Sequence, residues 1–165
     1  MTEKPKINPS LTVIDIILEA IAALSLIYMI AQLITEYPKL GDQVPTHYGL
    51  DGTPDAWGQK SSMLILPVIA IILFTGMTIL NRFPYIFNYP VEITETNATR
   101  QYRLAKSLIS YLKTIIVGLF LYIQINTINI SKDIGSGLGA TMVFVIGLGT
   151  VAPIIVYLIL ASRKK

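Results

Sequence analysis

Residues 11–34 read LTVIDIILEAIAALSLIYMIAQLI, and Asp15 and Glu19 are the only charged side chains among them. Apolar residues cover every face of this segment rather than one stripe, which marks a helix enclosed by a large core or by lipid. Three further runs share the texture, so the expected spans are about residues 11–35, 62–81, 104–125 and 138–161. Each approaches the roughly 20 residues that cross a hydrocarbon core of about 30 Å. A 165-residue chain cannot bury four such helices in a soluble core. Charged residues make up 14% of the chain, against about 25% in an ordinary soluble domain, and the mean hydropathy is +0.61. The expected fold is therefore an all-α integral membrane protein of four transmembrane helices, a single membrane domain over residues 1–165. A short ordered, hairpin-like extracytoplasmic cap (36–60) joins helices one and two, and a cytoplasmic connection (82–103) joins helices two and three.

Basic residues in the connections orient these spans. Lys4, Lys6, Arg82, Arg100, Arg103, Lys106, Arg163, Lys164 and Lys165 fall on one side, and Lys39, Lys60 and Lys132 on the other. The imbalance places both termini in the cytoplasm of a multi-pass inner-membrane protein and the 36–60 cap outside. The same distribution excludes a nucleic-acid footprint, because the net charge of +3 sits at helix ends and not along one face. With no cysteine there is no disulfide, thiolate metal site or cysteine nucleophile. The amino-terminal run is too long for a cleavable signal and carries two carboxylates, so it reads as a retained helix.

Local signals set the expected boundaries. Asn8 or Ser10 is the expected N-cap of helix one, which ends before Pro38. Phe83, Tyr85, Phe87 and Tyr89 alternate near Pro84 and Pro90, predicting an extended run at headgroup depth. Helix resumes near Thr96–Ala98. Helix four carries Gly137, Gly139, Ala140, Gly147, Gly149 and Ala152, small residues that permit close packing within the monomer or along a homodimer seam. Pro153 is expected to kink it.

Two groups of residues carry chemistry. Asp15 and Glu19 lie four apart on one helix face, and Lys106 and Lys113 lie seven apart on another. All four enter the same leaflet, so Glu19–Lys113 and Asp15–Lys106 pairs are expected as an interhelical clamp that offsets desolvation. An ion-linked site is the alternative. Gln32, Gln124 and Asn126 lie near helix ends and add little. The second group is the connection EYPKLGDQVPTHYGLDGTPDAWGQK, residues 36–60, which holds the only His and the only Trp. Asp51-Gly52 is a hairpin-turn dipeptide, and Val44, Thr46 and Tyr48 alternate before it. Asp51 and Asp55 are expected to cap turns, with Trp57 and Lys60 anchoring helix two. His47, Asp51 and Asp55 match no spacing of a known metal site. No nucleophile with an orienting base is present, so the reading is non-enzymatic with no metal or cofactor.

The stretch also resembles a signature of bacterial and archaeal membrane proteins, the domain of unknown function 1648 family, whose domain forms the amino-terminal part of immunity proteins against the SDP peptide toxin. The matching positions are Tyr37, Pro38, Leu40, Asp42, Pro45, His47, Tyr48, Gly49, Gly52, Pro54, Asp55, Trp57, Gly58 and Lys60, with Gly41 where Pro often stands. Asn97, Arg100, Gln101 and Tyr102 resemble a later pattern of shorter members. The resemblance implies a multi-helix membrane protein with an outer cap. For the immunity branch it implies resistance to a secreted peptide and relay to a cytoplasmic repressor, although no stretch resembles that branch's second domain. The leading functional expectation is a protein whose cap, with His47, Tyr48, Asp51, Asp55, Trp57 and Lys60, binds or excludes an extracellular ligand such as a peptide toxin. Its cytoplasmic connection would meet anionic lipid or a protein partner. The alternative is a small transporter, or an accessory subunit of a membrane complex, built on Asp15, Glu19, Lys106 and Lys113.

Overall fold

The computed structural model of the chain describes residues 3–139 and 141–163. It is mostly helical and carries one two-stranded sheet. Among the described residues, three helices are long and apolar enough to cross a membrane, and they lie within Val13–Lys39, Lys60–Leu80 and Ala98–Ile130.

Helix α1 (Val13–Glu36) is capped two residues later than Ser10. Thr12 is its N-cap and forms a capping box with Asp15. The Asp15 amide donates to Thr12 Oγ1 at 3.2 Å, and the Thr12 amide donates to Asp15 Oδ2 at 2.8 Å. A threonine followed three residues later by a carboxylate satisfies two orphan amides at once, which neither Asn8 nor Ser10 can do. Pro38 ends the helix in a single 3₁₀ turn, Tyr37–Lys39. Strands β1 (Gln43–Tyr48) and β2 (Pro54–Gln59) follow, and a 3₁₀ turn (Lys60–Leu64) leads into helix α2 (Ile65–Leu80).

Helix α3 (Ala98–Ile130) runs 33 residues, well beyond the expected 104–125 at both ends. At 1.5 Å per residue it is about 50 Å long, so its ends project past a core of about 30 Å. It packs against α1 and α2 as the central helix. By contrast, α1 and α2 turn large apolar side chains outward, among them Val13, Ile14, Leu24, Ile27, Ile65 and Ile72. A surface of that kind suits contact with lipid rather than water.

The fourth apolar run does not form the uninterrupted helix expected over 138–161. It divides into α4 (Thr141–Ile146), a π-helical turn (Gly147–Val151) and α5 (Ala152–Ser162). Pro153 cannot donate an amide to the preceding turn and its ring crowds the carbonyl four residues back, and a π turn is a common way to absorb such a break. Gly137 and Gly139 lie before the helix instead of within it, and Ala140, with Lys164 and Lys165, lies outside the described residues. The carboxy-terminal end of α5 sits beside the start of α3, where Gln101 Nε2 donates to the Ala161 carbonyl at 2.9 Å and Arg100 to that of Leu160 at 2.8 Å.

The 82–97 connection is more compact than an extended aromatic run. Pro84–Ile86 forms a 3₁₀ turn, and Tyr85 and Tyr89 pack on the buried Ile93, Ala98 and Tyr102. The Tyr89 hydroxyl donates to the Pro84 carbonyl at 2.7 Å. Tyr102 ties the amino-terminal tail to this cluster by donating to Pro5 at 3.0 Å. The alternation persists over 85–90, with Tyr85, Phe87 and Tyr89 part-buried between exposed neighbours, and the Pro84–Ile86 turn interrupts the extended run. Asn97 occupies the N-cap position of α3, at the expected restart, without a side-chain bond to the helix amides.

Candidate functional site

The residues between α1 and α2 form an antiparallel hairpin, with Val44 opposite Gly58, Pro45 opposite Trp57 and His47 opposite Ala56. An irregularity in the register flanks His47. At the tip, Asp51 Oδ1 accepts from the Thr53 amide at 3.0 Å and from the Thr53 hydroxyl at 2.8 Å. These bonds hold the Asp51 carboxyl below the usual aspartate range. Gly52 follows with φ of +78°, a conformation that glycine adopts without strain.

Three contacts dock this hairpin on the bundle. The Leu138 amide donates to the Gly52 carbonyl at 2.7 Å. A Cβ on Gly137 would lie 2.3 Å from that same Gly52 oxygen, and one on Gly52 would lie 2.7 Å from the Gly139 nitrogen. Glycines at these positions therefore serve a backbone-to-backbone crossing, not the helix packing expected of Gly137 and Gly139. The third contact is Tyr48, whose hydroxyl shares a 2.6 Å hydrogen bond with Thr127 of α3. Burial pushes the Tyr48 phenol up, and the Thr127 bond partly offsets that. Val44 sits beneath the sheet in a cluster with Leu33, Leu40, Met63 and Ile128.

β1 faces the helices and β2 faces away. His47 Nδ1 lies 2.5 Å from Asp55 Oδ1, with side chains 70% and 50% exposed. A carboxylate only accepts, so the pair places a proton on Nδ1 and leaves Nε2 for another partner. Leu50 is fully exposed and Trp57 about half-exposed. Trp57 thus stands on the open strand and not at the start of α2, where the sequence placed it. Lys60 does anchor that start: its ammonium stacks over Tyr37 at 5.4 Å and reaches the Leu40 carbonyl at 3.4 Å. Among the described residues no three His, Asp or Glu side chains gather as a metal site.

Beneath β1 lies a cavity of about 390 Å³, lined by His47, Tyr48, Ser62, Met63, Gln124 and Thr127 among others. Gln124 is buried, donates to the Met29 carbonyl at 2.8 Å and to Gln32 at 3.2 Å, and keeps Oε1 without a partner among the described residues.

The charged residues within the helices form a separate site. Glu19 and Lys113 pair directly. Ser110 donates to the other Glu19 oxygen at 2.9 Å, Lys113 also donates to Thr78 at 2.8 Å, and Asn81 donates to Ser110 at 3.0 Å. Lys113 lies 4.8 Å over the Phe74 ring. This network joins α1, α2 and α3. The expected Asp15–Lys106 pair does not form. Asp15 is spent on its capping box, and Lys106 turns to Asn8 Oδ1 at 2.6 Å and the Pro9 carbonyl at 2.5 Å.

Sequence reasoning missed Thr78, Asn81, Ser110 and Thr127, and it set Gln124 aside as a helix-end residue. The signal for those on α3 is spacing: Lys106, Ser110, Lys113, Val117 and Gln124 follow a seven-residue repeat, and all are buried. Thr78 on α2 and Asn81 at its C-cap carry no such signal. Reading the lysines alone hid the stripe to which they belong.

Residues 20–71, covering most of α1, the hairpin and the start of α2, match the family model described as "Domain of unknown function (DUF1648)". An uncharacterized protein of Archaeoglobus fulgidus is 35% identical over 75 residues, which is 41% of this chain and 41% of that relative. The chain thus aligns with well under half of that relative's length. No solved structure matches the chain.

Proposed function

We propose that this is a non-enzymatic inner-membrane protein whose docked hairpin is a receptor or shield for an extracytoplasmic ligand, with a peptide as the favoured class. The observation that carries this reading is the combination of a rigidly seated hairpin with unspent chemistry on its open side. Tyr48, Gly52 and Asp51 are consumed in holding the fold, whereas Leu50, Trp57 and the His47–Asp55 pair face outward. Strand β2 also has an unpaired backbone edge, which an extended peptide recognises by adding a strand. The cytoplasmic side would relay occupancy to a protein partner. The DUF1648 match over the hairpin supports a shared cap, and resistance to a toxin peptide belongs to this proposal alone.

The proposed topology has four crossings with both termini inside. Nine basic residues against three support the orientation. The fourth crossing is supported by the path of the chain, which passes from Leu138 beside the hairpin to Ala161 beside the start of α3.

The test is binding of secreted antimicrobial peptides to the purified protein, read from the emission of its single tryptophan. Binding should saturate for wild type and disappear in His47→Ala and Asp55→Ala, with membrane insertion unchanged. The transporter alternative predicts the reverse, loss in Glu19→Gln and none in the hairpin variants. Both Glu19 oxygens are already taken by Ser110 and Lys113, which favours a clamp over an ion path.

A further inference from the structure

A cleft of about 620 Å³ opens between α1, α3 and α5, walled by Ile14, Leu18, Leu104, Leu108, Val156 and Leu160. Ala152 and Pro153, next to the π turn, present no long side chain to it. Along α3 it runs about 10 Å, from Leu104 to Tyr111, at 1.5 Å per residue. At the end nearest the chain termini it shares Thr12, Leu104 and Ser107 with a smaller cavity of about 230 Å³, whose remaining walls are Arg100 and Arg103.

The polar mouth has an unusual feature. Among the described residues, Arg103 and Ser107 make no side-chain hydrogen bond or ion pair. They are four apart on α3 and so share one face. Arg100 beside them donates to the carbonyls of Leu160 and Arg163. Asp15 also borders the cleft, but its Oδ2 is occupied by the amide and hydroxyl of Thr12.

The geometry points to a binding site for one anionic membrane phospholipid, with a hydrocarbon chain in the cleft and its phosphate on Arg103 and Ser107. An apolar slot ending in an exposed guanidinium with no ion pair among the described residues complements a molecule with a hydrocarbon tail and a cluster of anionic oxygens. A guanidinium fork matches phosphate oxygens in pairs, and basic pockets between membrane helices hold anionic headgroups. A hydrophobic helix from a second copy would fill the slot but would bury Arg103 without a partner. This site is separate from the hairpin and does not depend on its ligand.

The test is native mass spectrometry of the full chain in detergent, with phosphatidylglycerol and phosphatidylcholine in competition. Wild type should retain a single phosphatidylglycerol with about fivefold preference, unaffected by glycerol phosphate at equal concentration. Arg103→Gln should bring the two lipids to parity. Its lipid-free melting temperature should not move, because Arg103 makes no intramolecular bond. Arg82→Gln, which removes a charge outside the cleft, should keep the preference. Equal retention of both lipids by wild type, or an equal loss in Arg82→Gln and Arg103→Gln, would show diffuse surface attraction and overturn the site. Displacement by glycerol phosphate would overturn the role of the hydrocarbon chain. A dimer that Leu108→Phe dissociates would assign the cleft to a second copy instead.

Discussion

The hairpin and the buried stripe of α3 are the two polar regions of a largely apolar molecule, and they are held by opposite means. The hairpin is seated by backbone: a Leu138 amide on the Gly52 carbonyl, and glycines that let two chains cross at contact distance. Tyr48 and Val44 add side-chain contacts beneath it, and His47, Asp55 and Trp57 on its open side are left available. The stripe is seated by side chains, with Glu19, Ser110, Lys113, Thr78 and Asn81 consuming one another across three helices. Polar residues that bond each other hold helices together, whereas polar residues freed by backbone contacts are the ones that can meet a ligand. The comparison is what separates a receptor reading of the hairpin from a transport reading of the membrane interior.

The largest effect should come from breaking the stripe. Lys113→Ala strands the Glu19 carboxylate among apolar helices, and removing one partner of such a pair costs about 3–5 kcal/mol. Thermal unfolding in detergent should show a large drop. Glu19→Gln combined with Lys113→Gln should recover part of it, because neither charge then remains unpaired. Ligand binding at the hairpin, measured below the melting temperature, should survive in the double variant. No recovery in the double variant would mean that the two side chains contribute independently.

The hairpin should break differently. Gly137→Ala puts a methyl 2.3 Å from the Gly52 oxygen, a clash that the backbone must relieve at a cost of about 1–3 kcal/mol. The prediction is local: amide hydrogen exchange should speed up across Gln43–Gln59 while the melting temperature of the helices changes little. If both fall together, the hairpin is part of the bundle's cooperative unit and the contrast between the regions fails. Tyr48→Phe should act in the same direction more weakly, by about 0.5–1.5 kcal/mol for one hydrogen bond, read by the same exchange experiment.

Much of this was legible in the sequence, and the failures have physical causes. Uniformly apolar runs announce membrane helices, because lipid imposes one pattern over a whole segment. Asp51-Gly52 announces a hairpin because few dipeptides accept its turn. Glu19–Lys113 was readable because each ion requires an opposite charge in a low-dielectric setting. Asp15–Lys106 was misread by the same logic. Asp15 is close enough to the helix start to serve the backbone, and the amides at a helix end are an equally good partner. The role of Gly137 and Gly139 was invisible, because a crossing between segments some 85 residues apart leaves no periodic trace. Small residues near a helix look alike whether they pack a helix or a turn.

The smallest effect is a pH dependence confined to the turn. Thr53 donates its amide and hydroxyl to the Asp51 carboxylate, which holds the Asp51 pKa below its ordinary value. A depressed carboxyl pKa means the turn is stabilised by the ionised form. That contribution is complete above the ordinary aspartate range, near 3.9, and is lost as pH falls through the lower folded value. Acidification should therefore release the hairpin tip. The check is exchange at the Thr53 amide against exchange within α3 across an acid series, with Asp51→Ala as the reference. Wild type should converge on the Asp51→Ala rate at low pH while α3 stays protected. A Thr53 rate that does not respond to acid would show that the Gly52–Leu138 backbone contact holds the tip without help from the Asp51 charge.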